Sequence, residues 1–258
     1  MTSLNWTPTR TVAIAAGATA LIGGAVLPAQ AAEDESIVYI VQGLPGESVD
    51  ISIDGEEVAT GVATTDVVGP FTVEAGTSEI VFSDGDTEIA ANSVETEADS
   101  NSDLVFHLPS DADGDPVVTA FNNDLSAVPA DKASLTVAHT AAVPPADVLV
   151  NGDILFANIA NGESLNLVVP VDTYEVEIVP TGETEPVILG PLDFEVTGGA
   201  LNRVFAVGDP EAQTMNVAVH VIEVDESGSE APTVVNTGTG GFFGVLNSVN
   251  SFFSSVLR

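Results

Sequence analysis

Between residues 37 and 224 the apolar positions come in short, β-branched runs broken by Gly, Asp, Asn, Pro and Ser, a rhythm that predicts strands and turns and not helices. The runs fall at 37–41, 49–53, 79–82 and 104–107, and again at 135–139, 148–150, 165–169, 174–179 and 217–221. Alternation is clearest at the eighth of these, where Tyr174, Val176 and Ile178 are set to face a core while Glu175 and Glu177 face water. Such half-buried strands predict an all-β chain.

Both ends depart from this pattern. Arg10 precedes a continuous apolar stretch over 12–27, and Ala29-Gln30-Ala31 follows, so residues 1–31 read as a secretory signal peptide cleaved after Ala31. At the other end, no residue between Glu230 and Arg258 is charged. There Phe242, Val245, Leu246, Val249, Phe252, Phe253 and Val256 recur at helical spacing among Asn and Ser, which predicts an amphipathic helix over 242–258 on a Gly/Thr-rich linker over 225–241. At 1.5 Å per residue such a helix reaches about 24 Å, short of the roughly 30 Å of a hydrocarbon core. Three roles compete for it: docking on the protein's own sandwich, lying in a cell-envelope lipid interface, or self-association. A sortase signal at Val235-Asn236-Thr237-Gly238 would lack the Leu-Pro and the continuous apolar run that such signals use.

The body of the chain repeats. Val49-Asp50-Ile51-Ser52-Ile53-Asp54-Gly55 aligns with Ala146-Asp147-Val148-Leu149-Val150-Asn151-Gly152, and the Asp-Gly and Asn-Gly pairs are type I′ hairpin dipeptides. Each repeat, under a hundred residues, suits one β-sandwich. The expected architecture is therefore two tandem antiparallel, immunoglobulin-like β-sandwich domains over 36–131 and 132–224, followed by the C-terminal amphipathic helix.

Val38-Tyr39-Ile40-Val41-Gln42-Gly43-Leu44-Pro45-Gly46, the hairpin at 49–55, Gly114-Asp115-Pro116 with Phe121-Asn122-Asn123-Asp124, and Val137-Ala138-His139-Thr140-Ala141-Ala142 together resemble the family called domain of unknown function 4397. That resemblance implies an exported sandwich protein, often a tandem pair, of the kind common in Gram-positive actinobacteria. It implies no activity or ligand. Gln42 stands where the family pattern has a histidine.

Charge and composition then narrow the function. With four Lys and Arg against 39 Asp and Glu, and a net charge of −35, the chain lacks the cations that bind phosphates, which excludes nucleic acid as a partner. It has no cysteine, hence no disulfide, thiolate nucleophile or zinc ribbon. Asp111, Asp113 and Asp115 alternate around Gly114 in an oxygen-rich stretch that calcium favours, but the glycine and the twelfth residue, Asn122, miss the EF-hand positions, so the preferred reading is an acidic hairpin turn. Asp84, Asp86, Glu88, Glu95, Glu97, Asp99 and Asp103 read as a solvated acidic face. His107, His139 and His220 each stand alone in an apolar strand, without a second ligand nearby, as core or edge residues do. No nucleophile elbow, phosphate loop or zinc-protease motif is present in the sequence, and no cofactor is called for. The expectation is a secreted, non-catalytic, extracellular or envelope-associated binding or structural protein, with a glycan or protein ligand that the sequence does not identify. The alternative is an envelope glycan hydrolase using unassigned carboxylates.

Overall fold

The computed structural model describes residues 35–46 and 48–224. The signal peptide expected at 1–31, the linker expected at 225–241 and the amphipathic helix expected at 242–258 fall outside the described residues. Sixteen strands are present: β1 (Glu35–Gln42), β2 (Ser48–Ile53), β3 (Glu56–Ala63), β4 (Val67–Glu74), β5 (Gly76–Asp84), β6 (Thr87–Thr96), β7 (Asn101–His107) and β8 (Val117–Asn122) form the first half. The second half holds β9 (Lys132–Ala141), β10 (Ala146–Val150), β11 (Asp153–Ile159), β12 (Ser164–Pro170), β13 (Thr173–Pro180), β14 (Leu189–Glu195), β15 (Ala200–Gly208) and β16 (Asn216–Glu223).

Their sheets duplicate strand for strand. The first half makes sheets β4-β1-β7-β8 and β3-β2-β5-β6, the second β12-β9-β15-β16 and β11-β10-β13-β14. Each label in the second half is its counterpart plus eight, and the parallel pair of one half, β1 with β7, recurs as β9 with β15. The inner sheets are therefore mixed and not purely antiparallel as the sequence predicts, because β7 and β15 reach them by a crossover from the outer sheet and not through a hairpin. The repetition reaches single hydrogen bonds. Asp54 and Asn151 take φ of 50° and 51°, ahead of Gly55 at 82° and Gly152 at 84°, as a two-residue type I′ turn requires. Their side chains accept the backbone N–H groups of Glu79 at 2.8 Å and Glu175 at 3.1 Å. At the bulge in the neighbouring strand, Gly61 and Asn158 donate to the carboxylates of Asp50 at 2.9 Å and Asp147 at 2.7 Å. Asp147 also accepts from Gly182 N–H at 2.9 Å, and these amides hold its carboxyl below the usual carboxylate range.

Three cores result. Val38, Ile40, Ile51, Phe82, Leu104 and Phe106 fill the first sandwich, and Leu135, Val137, Val148, Tyr174 and Ile178 the second. A third core, made of Val41, Val105 and Phe121 from the first half and Ala138, Phe205, Val207 and Ala218 from the second, joins the inner sheets β4-β1-β7-β8 and β12-β9-β15-β16. Strand alternation explains it. On β1, Val38 and Ile40 point into the first sandwich and Val41 into the seam, while on β15 Ala206 points into the second sandwich and Phe205 and Val207 into the seam. These central strands are covered on both faces, hence their near-continuous apolar text.

Candidate functional site

Two features stand out from this frame: a polar cluster locked in the seam and an apolar cleft in the second sandwich.

The seam cluster centres on Asp103 of β7, fully buried and 3.1 Å from Arg203 Nε of β15. Its other oxygen lies 2.7 Å from His220 Nδ1 of β16. Arg203 donates from Nη1 to the Asn122 carbonyl at 2.9 Å, and its guanidinium lies 5.8 Å from the Phe121 ring centre and 5.5 Å from that of Phe205. Tyr39 packs on the His220 ring at 4.3 Å. Asp103 therefore leaves the solvated acidic face to which its sequence neighbours assign it. Asp84, Asp86, Glu88, Glu95, Glu97 and Asp99 are exposed, whereas Asp103 points inward on a central strand and meets one of the chain's few cations.

The other two histidines line the same junction. His107 Nδ1 donates to the Leu108 carbonyl at 2.7 Å, which leaves Nε2 to accept the Thr119 hydroxyl at 2.8 Å. Burial, aided by the charge of nearby His139, pushes the His107 pKa down to about 4. His139 is likewise lowered by burial; its Nε2 donates to the Pro144 carbonyl at 3.3 Å. Asn161 bridges the halves by donating to the Leu108 carbonyl at 3.2 Å and the Ala141 carbonyl at 2.7 Å. His139 N–H donates to Glu163 O and its carbonyl accepts Gly162 N–H, just as Gln42 N–H donates to Asp66 O and its carbonyl accepts Thr65 N–H. Gln42 and His139 thus hold the same place in the two repeats, so the histidine that the first repeat lacks stands in the second.

The cleft is a shortfall of core volume. In the first sandwich Phe82 and Phe106 stack at 3.8 Å with an interplanar angle of 6° and plug the middle. Phe82 pairs with Ile51 and Phe106 with Gln42. At the matching ladder positions Val148 pairs with Ile178 and His139 with Ala206, so the stacked aromatic pair is replaced by isoleucine and alanine. What opens is a cleft of about 390 Å³, lined by both residues. Leu135, Val137, Val204 and Ala206 form one wall, and Val148, Val150, Val176, Ile178 and Leu189 the other. Tyr174 lies among them with its hydroxyl turned away to the Pro170 carbonyl at 2.9 Å. The mouth lies between edge strands β14 and β16, where Leu192 is 42% and Val219 41% exposed and Asp193 and Asn216 supply polar atoms at the lining. A volume of this size takes a drug-sized apolar molecule.

Of the residues singled out in the sequence, Asp111, Asp113 and Asp115 are exposed in the β7–β8 connection, where Gly114 N–H donates to the Asp111 carbonyl at 2.9 Å and Asp113 N–H to the Asp111 carboxylate at 3.2 Å. Among the described residues, no group of three or more His, Asp and Glu side chains is arranged to hold a metal ion. Phe242, Val245, Leu246, Val249, Phe252, Phe253 and Val256 lie outside the described residues. Sequence reasoning missed the cleft, whose signal was the exchange of two phenylalanines for smaller residues between repeats.

Residues 36–146 match the family model described as "Domain of unknown function (DUF4397)". The match covers the first sandwich and runs through β9. No curated protein matches the chain.

Proposed function

We propose, from the premise that residues 36–146 are a DUF4397 domain, that this chain is an exported, non-catalytic binding protein that holds an apolar ligand in the cleft of its second sandwich. The carrying observation is the cleft itself: about 390 Å³ of apolar-walled space opening at a sandwich edge, at the place where the sister repeat is filled by two rings. Aliphatic walls reward removal of apolar surface from water at roughly 25 cal/mol per Å², so an acyl chain or ring system is favoured over a glycan, whose hydroxyls would find few partners there. Two four-stranded sheets packed over one core in each half support reading each as an immunoglobulin-like sandwich. Export rests on the Arg10 and Ala29-Gln30-Ala31 signals.

The test uses the neutral fluorophore N-phenyl-1-naphthylamine, which the protein's negative charge does not repel. Saturable binding is expected, and restoring the missing ring pair with Ile178→Phe and Ala206→Phe should weaken it at least about tenfold while keeping or raising Tm, since the rings fill existing space. Equal binding by parent and filled variant would remove the cleft as the site. Turnover of envelope glycans, lost on substitution of one carboxylate, would replace this reading with the hydrolase.

A further inference from the structure

We propose that the C-terminal segment from Phe242 to Val256 of the same chain docks in the mouth of this cleft and competes there with the apolar ligand. The inference rests on the cleft being a binding site. β16 walls the cleft through Val217 and Val219, and Val224 directly follows that strand. Val219 and Val224 are five residues apart, about 17 Å along an extended strand. A flexible chain of the length and Gly-, Ser- and Thr-rich composition of residues 225–241 would have a root-mean-square span of roughly 21 to 25 Å. A tether whose natural span matches the gap gives an effective concentration on the order of millimolar, so even a weak contact is populated in cis.

Chemistry agrees with the tether. Phe242, Val245, Val249, Phe252 and Val256 present apolar groups every three or four residues, and no charge intervenes between residues 231 and 257. Burying such side chains is worth roughly 1.5 to 3 kcal/mol each when complete. A second copy is the weaker occupant, because chains of net charge −35 repel one another and meet at free concentration, whereas the tail is always present.

The chain has no cysteine, so introduced pairs report without background. In the full chain under mild oxidation, Leu192→Cys with Phe252→Cys, and independently Val219→Cys with Phe252→Cys, should close an intramolecular disulfide at least about tenfold faster than Leu165→Cys with Phe252→Cys, whose partner sits on β12 at the far edge of that sheet. Removing residues 236–258 should raise N-phenyl-1-naphthylamine affinity by a similar factor. Equal closure rates in all pairs, disulfide-linked dimers in place of monomers, or co-sedimentation with phosphatidylcholine vesicles without closure would each overturn the docking. The two readings separate cleanly. Fluorophore binding to the truncated chain without preferential closure sinks the tail and keeps the cleft ligand; closure with no fluorophore binding in the truncated chain does the reverse.

Discussion

Arg203→Met is expected to lower the unfolding free energy by about 3 to 5 kcal/mol, because it strands the Asp103 carboxylate inside a seam with no exposure to water. In the parent, Asp103 is met by the guanidinium at 3.1 Å and by His220 Nδ1 at 2.7 Å. Methionine keeps much of the volume against Phe121 and Phe205 and removes the charge, so cavity formation contributes little and the loss reports on the ion. Desolvation of two ions consumes most of what their attraction returns, so Asp103→Leu combined with Arg203→Met should recover most of the stability lost by the single change. Urea unfolding of the four proteins in the cycle measures the coupling directly. A double variant as unstable as Arg203→Met alone would show that packing, and not an unpaired charge, accounts for the loss.

That cluster also shows where sequence reasoning stops. The strands were legible because alternation and the Asp54-Gly55 and Asn151-Gly152 turns are local, and all nine runs picked out by pattern lie within strands of the structure. Of the strands that the pattern passed over, β3, β6, β11 and β14 lie on outer sheets, where exposure thins the apolar text: β3 runs Glu-Glu-Val-Ala-Thr-Gly-Val-Ala with one buried residue. The others, β4, β8 and β15, belong to the inner sheets, and β15 is buried almost throughout but has its apolar run broken by Asn202 and Arg203. Asp103, Arg203 and His220 are far apart in sequence, and only the meeting of two sheets brings them together. One hint was available. Arg203 is one of only four basic residues and interrupts the apolar text of β15, a placement that calls for a buried partner. The histidines looked isolated because each is alone on its strand, yet His107 and His139 interact across the junction and His220 joins its opposite end. Local text reports which face of a strand is buried; it does not report against what.

The cleft follows the same logic one level down. Aligning the repeats by their hairpins matches Asp50 with Asp147, but Phe106 meets Ala206 only through the parallel ladders of β1 with β7 and β9 with β15, which no local pattern reveals. Duplication supplied two sandwiches from one plan, and the sites lie where the copies differ: rings against aliphatics at the cleft, Gln42 against His139 at the seam.

Acid is expected to weaken the fold through that seam before it titrates most surface carboxylates. His107 is neutral in the folded chain with a pKa of about 4, against roughly 6.5 when unfolded. Its native form is therefore unpenalised above pH 6.5, and stability is lost as pH falls from 6.5 towards 4, where the unfolded chain binds the proton and the folded one does not. The gap is worth about 3 kcal/mol by pH 4, and His139, lowered for the same reason, adds in the same direction. An opposing effect acts at once, because protonating surface carboxylates relieves the self-repulsion of a chain at −35. Comparing variants cancels it. His107→Gln keeps an amide that can donate to the Leu108 carbonyl but cannot titrate, so the stability of the parent minus that of the variant should fall by about 3 kcal/mol between pH 7 and 4, at 0.5 M salt to screen surface charge. Parallel pH profiles for the two proteins would mean that the His107 proton is not excluded by burial. The seam would then be loose enough to admit water around the one ring that Leu108 and Thr119 hold from both sides.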